Sequence, residues 1–67
     1  MRIGVIYTQV DEPRRAWEVV RILTPFDSIP HASLECLTDR KTTKFLSGVV
    51  LQDKRHFVEM NDEPRLR

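Results

Sequence analysis

The chain has 67 residues, with 11 basic and 10 acidic side chains and a single cysteine, Cys36. The formal net charge of +1 argues against nucleic-acid binding through bulk charge, and one cysteine excludes an intramolecular disulfide. No apolar run approaches the roughly 20 residues of a membrane span, and no cleavage signal follows the N-terminus. The sequence therefore predicts one cytoplasmic domain over residues 1–67, without membrane partners.

Weak alternation of side chains over residues 2–10 predicts a first strand. Residues 11–13, Asp-Glu-Pro, suit a helix start, because Asp caps free N–H groups and Pro fits the first turn. Residues 14–23 then repeat apolar side chains at helical spacing. This pattern predicts an amphipathic helix whose buried stripe is formed by Ala16, Val19, Val20 and Leu23.

A loop with two prolines is expected over residues 24–32, where Phe26 and Ile29 would fold back onto the core. Residues 33–38 predict a second strand, and the polar residues 39–43 predict the turn after it. Cys36 lies between Leu34 and Leu37, which favours a buried structural thiol over a nucleophile.

The stretch from Phe45 to Met60 predicts a β-hairpin, with Asp53 and Lys54 in its turn. Gly48 within it indicates a bulge or a close backbone approach. The tail, residues 61–67, is expected to be frayed. In this register the two hairpin faces carry different apolar sets: Phe45, Val49, Leu51, Val58 and Met60 on one, and Leu46, Val50 and Phe57 on the other.

The fold class predicted from these elements is α+β: a two-layer β-α-β-β-β domain with one helix packed on a small, mostly antiparallel sheet. A helix covers one sheet face, so the other is expected to be an interface. The first hypothesis is a small, non-enzymatic protein-interaction or regulatory module that binds a protein partner or a second copy of itself. Its predicted interface consists of Ile6, Leu46, Val50 and Phe57.

The alternative hypothesis is a small nucleic-acid-binding regulator, because basic side chains cluster near two predicted turns. Steep loss of affinity with salt would distinguish phosphate contacts from apolar association. We expect no catalytic residue, no metal site and no cofactor, since Gly4 and Gly48 alone cannot form a glycine-rich phosphate loop. The candidate nucleic-acid-binding residues are Arg40, Lys41, Lys44, Lys54 and Arg55.

Overall fold

The structure is a computed structural model that describes residues 1–60, apart from the side chain of Asp27. The predicted frayed tail, residues 61–67, lies outside the described residues. A 3-10 turn spans Pro25–Asp27, and the α-helix of the described residues, α1, spans Gly48–Leu51. Residues 1–60 form five strands: β1 (Ile6–Gln9), β2 (Glu12–Leu23), β3 (His31–Cys36), β4 (Asp39–Ser47) and β5 (Phe57–Glu59).

All five strands belong to one antiparallel sheet, in the order β4-β3-β2-β1-β5. The first four strands follow one another as a meander, and β5 returns to pair with β1. Tyr7 lies opposite both Trp17 and Glu59, and Trp17 lies opposite Cys36 on its other side. Among the described residues, no helix is long and apolar enough to cross a membrane.

The predicted fold class is wrong, because the segment expected to be the packed helix is strand β2. Asp11 is not a helix cap but lies in the β1–β2 turn, and the register shifts over the residues after Glu12. That shift accommodates Pro13, which cannot donate a ladder hydrogen bond. Val20 lies beside a second register shift and is half-buried rather than central to a helix stripe. Pairing on both sides of β2 thus overrides its local helical pattern.

The predicted hairpin over residues 45–60 is also wrong. Phe45 lies in β4, which pairs with β3, whereas Phe57 begins β5, which pairs with β1. The two segments therefore do not pair with each other. The polar turn expected over residues 39–43 is instead the beginning of β4. Gly48 starts α1, and its close backbone approach is confirmed: a Cβ there would lie 3.3 Å from the Pro30 carbonyl oxygen.

The core lies on one face of the sheet, which we call the inner face; the opposite one is the outer face. Alternate residues of β3 are buried, so Ala32, Leu34 and Cys36 point inward while His31, Ser33 and Glu35 point outward. Burial of this cluster from water supplies the main driving force for folding. Within residues 1–60 the buried hydrophobic residues are Val5, Tyr7, Trp17, Val19, Ala32, Leu34, Cys36, Leu51 and Phe57.

Candidate protein-binding surface

The loop between β2 and β3 holds its apolar side chains away from the core. Phe26 is 101% exposed, and Ile29 is 49% exposed. The expectation that both residues fold back onto the core is therefore wrong. A Phe side chain in water forgoes the stabilisation that burial of its apolar area would supply. The fold makes no use of Phe26 in its own packing.

Phe26 also has an unusual backbone conformation, with φ 50° and ψ 36°. Within residues 1–60 it is the only non-glycine residue with positive φ. Pro25 precedes it, and the Ser28 amide donates to the Pro25 carbonyl at 2.9 Å, which closes the turn around it. Bulky residues in this region carry steric strain, which occurs most often at binding sites and clamps.

The outer face beside this loop carries a stacked aromatic pair. The rings of His31 and Phe45 have centroids 5.2 Å apart and planes 17° from parallel. His31 Nδ1 donates to the Ile29 carbonyl at 2.8 Å, which ties the ring to the end of the loop. Phe45 is half exposed, so its other side is available to a partner.

Helix α1 lies at the same end of the sheet as this loop. The Gly48 amide donates to the Pro30 carbonyl at 2.7 Å, and the Ser47 hydroxyl accepts from the Val50 amide at 3.3 Å. These bonds hold the helix while Val49 stays exposed. We call the apolar residues collected here the loop-end surface: Leu23, Phe26, Ile29, Phe45 and Val49.

The four residues predicted from the sequence as an interface do not share one exposed face. Phe57 lies in the core and is 5% exposed, and Leu46 packs against that core from the inner face. Ile6 lies opposite Glu18 and is half-buried on the outer face. Val50 is exposed, but in α1. A substitution such as Phe57→Glu would therefore report on folding and not on binding.

The basic residues proposed for nucleic-acid binding are also dispersed. Arg40 Nη1 donates to Glu18 Oε1 at 2.7 Å and to Glu35 Oε1 at 3.2 Å, on the outer face. Lys44 points the other way, with Nζ 4.8 Å from the centroid of the Trp17 ring. Lys41 is exposed near the start of β4. Three cations close in sequence therefore do not form a single positive surface.

Lys54 and Arg55 precede β5, on the other edge of the sheet. Lys54 is exposed and lines the cleft described below. Arg55 donates from Nε to Asp53 Oδ1 at 3.1 Å and from Nη2 to Asp53 Oδ2 at 2.9 Å. Its guanidinium is thus already paired with a carboxylate, which reduces its value as a phosphate ligand.

We predict an acid-dependent component of stability at Asp53. The side-chain hydrogen bond from Arg55 lowers the pKa of the Asp53 carboxyl to about 2. Because this value is below that of an unfolded Asp, about 3.9, the contribution is complete above the unfolded pKa. It is lost as the pH falls through the folded value. Urea unfolding from pH 7 to pH 2 should show this loss in the wild type and a smaller one in Asp53→Asn; identical pH profiles would contradict the assignment.

One cleft of about 230 Å³ is a second candidate site. Tyr7 and Phe57 contribute aromatic walls, and Lys54 and Glu59 bring opposite charges to it. Burial, followed by the charge of Glu59, raises the pKa of the Tyr7 hydroxyl. The cleft is smaller than the roughly 300–1,000 Å³ typical of small-molecule sites. Within residues 1–60, no group of three His, Cys, Asp or Glu side chains is arranged to hold a metal ion.

The Cys36 thiol is buried, as the sequence predicts. Its Sγ lies 3.3 Å from Thr38 Oγ1, and hydrogen bonds from Thr38 lower its pKa. A lower pKa increases the thiolate fraction, but a side chain 1% exposed is inaccessible to a reagent. We therefore expect labelling by a thiol reagent to be slow in the native protein and fast in denaturant. Equal rates in the two conditions would show that the thiol is accessible.

Comparison with known proteins identified no relative: no protein family, no curated protein and no solved structure matches this chain. The assignment of function therefore rests on the geometry of the described residues.

Proposed function

We propose that this chain is a small, non-enzymatic protein-binding module that contacts its partner through the loop-end surface. The observation that carries the proposal is Phe26, a fully exposed aromatic side chain on a left-handed backbone. Large aromatic side chains dominate the binding energy of many protein interfaces because they fill pockets in the partner. In this proposal Phe26 is the anchor, and the other exposed apolar residues at this end of the sheet add to the contact.

Two unfavourable features coincide at this residue. The left-handed conformation costs a non-glycine residue about 1–2 kcal/mol. Exposure of the ring also forgoes the roughly 1.5–3 kcal/mol that burial of such a side chain supplies. Binding would recover the second of these terms, because a partner pocket removes the ring from water. Binding would therefore offset part of the free energy that this residue costs the unbound protein.

The partner that fits is a protein with an uncharged apolar pocket large enough for one aromatic ring. None of the five side chains in the loop-end surface carries a charge, and they offer a phosphate or carboxylate no salt bridge. Affinity should therefore change little with salt, in contrast to contacts with nucleic-acid phosphates. A second copy of the chain is the other protein partner to consider. A single core of this size rarely supplies more than about 3–5 kcal/mol of folding stability, and self-association would bury additional apolar surface.

The test begins with a photo-reactive phenylalanine analogue in place of Phe26, which cross-links whatever occupies this site in the source cell. The cross-linked partner is then purified and titrated with the wild type and with Phe26→Asn. Asn tolerates the left-handed conformation, so the fold should be retained. We expect affinity to fall at least thirtyfold, in line with the roughly 2 kcal/mol of a binding anchor.

Val58→Thr is the matched control, because Val58 is an exposed apolar residue in β5 and outside the loop-end surface. It should bind as the wild type does. Cross-links to a second copy, with a dimer that Phe26→Asn dissociates in sedimentation, would identify a homodimer. Cross-links confined to nucleic acid, or unchanged affinity in Phe26→Asn, would overturn the proposal.

A further inference from the structure

Strand β4 forms one edge of the sheet and does not include the loop anchor Phe26. Six of its nine residues have partners in β3 on one side, and within residues 1–60 no strand pairs with its other side. The main-chain N–H and C=O groups on the free side of an edge strand can accept a further strand. Near the start of β4, the Lys41 amide already donates to Asp39 Oδ1. Residues 40–42 have no partner among the described residues of β3, so the regular stretch with a free edge is residues 43–47.

The side chains of this stretch alternate between the two faces of the sheet. Lys44 lies opposite Leu34 and is on the inner face, whereas Phe45 lies opposite Ser33 and is on the outer face. An added strand would have the same alternation, because its side chains also point to opposite faces in turn. It would therefore meet a cation on one face and an exposed aromatic ring on the other.

The charges of β4 determine which kind of strand fits. Arg40 is held by Glu18 and Glu35, but within the described residues no carboxylate pairs with Lys41 or Lys44. Lys side chains on an edge oppose pairing with a second basic strand, which disfavours a second copy joined through β4. The same side chains attract a carboxylate, and a β-branched residue would pack beside Phe45.

We infer that the free edge of β4 binds an extended acidic peptide segment in which Glu or Asp alternates with β-branched apolar residues. The acidic side chains lie beside Lys44 on the inner face, and the apolar side chains lie beside Phe45 on the outer face. A nucleic acid fits less well, because it has no main chain to extend the ladder and Lys44 does not share a face with Arg40. This site shares Phe45 with the loop-end surface, but it does not include the anchor Phe26 and does not depend on that residue.

The probe is a capped heptapeptide, Thr-Glu-Val-Glu-Val-Glu-Thr. Trp17 is the only tryptophan in the chain, and Lys44 Nζ lies over its ring. Binding is therefore expected to change tryptophan emission and to shift the backbone amide resonances of residues 43–47. Lys44→Gln should weaken binding by about fivefold, the upper range for one exposed ion pair. Lys54→Gln removes the same charge away from β4 and should leave the affinity unchanged.

Two altered heptapeptides test the main-chain pairing and the charge preference separately. Replacing one central Val by Pro removes a ladder donor and should weaken binding strongly. Replacing every Glu by Lys should abolish binding by charge repulsion. The inference is overturned if the acidic heptapeptide shifts no β4 amide or if the basic version binds equally well. It is also overturned if a short single-stranded oligonucleotide binds the same residues more tightly than the heptapeptide does.

Discussion

Leu34→Ala is expected to lower the free energy of unfolding by about 2–5 kcal/mol, the range for removing a buried Leu side chain. Leu34 has no solvent exposure. It lies in β3, opposite Val19 of β2 on one side and Lys44 of β4 on the other. A chain of this size rarely has more than about 3–5 kcal/mol to lose. The variant should therefore be largely unfolded at 25 °C.

Urea unfolding followed by circular dichroism measures this effect. Leu37→Ala is the matched control, since Leu37 is 38% exposed in the turn between β3 and β4. Its loss should be about 1 kcal/mol or less, as for most partly exposed positions. Similar losses in the two variants would show that Leu34 is not at the centre of the core.

Phe26→Gly is expected to raise the free energy of unfolding, although it deletes a large apolar side chain. Glycine adopts positive φ without steric strain, which relieves about 1–2 kcal/mol. The greater freedom of Gly in the unfolded chain offsets about 0.5–1 kcal/mol of this gain. Because the fully exposed ring contributes no packing, we expect a net increase of about 0.5–1 kcal/mol.

Ile29→Gly serves as the comparison for this gain. Ile29 is an exposed apolar residue in the same loop, but its φ is not positive. Glycine at this position should therefore lower stability through unfolded-state entropy alone. Thermal unfolding of both variants decides the matter: a lower Tm in Phe26→Gly than in the wild type would show that its ring contributes to folding or that its backbone carries no strain.

The sequence identified part of the sheet, because the alternation in β3 depends on burial and is visible locally. It misassigned β2, where Asp-Glu-Pro resembles a helix start and Val19 and Val20 are adjacent apolar residues. The register shift after Val19 explains that adjacency, since a residue at a bulge leaves the strict alternation of a strand. Such a shift depends on the neighbouring strand and cannot be read from β2 alone.

The candidate surface was harder to predict than the core. Residues 24–30 contain two prolines, which indicates a loop, but nothing local specifies that Phe26 adopts positive φ. The usual tendency of Phe to be buried predicts the opposite of its observed exposure. The position of Lys44 over Trp17 could not be predicted from the sequence either, because it depends on the pairing of three strands.

The place of β5 in the sheet has a consequence for the order in which the chain folds. The meander β1 to β4 joins segments that are close in sequence, whereas β5 must find β1 about fifty residues away. Closing so long a loop is entropically costly, and the pairing it achieves is only three residues long. The bonds from the Met60 amide to the Ile6 carbonyl and from the Val10 amide to the His56 carbonyl should therefore form last. Those two amides are expected to exchange with deuterium by local opening, while the amides between β2 and β3 exchange only when the whole domain unfolds.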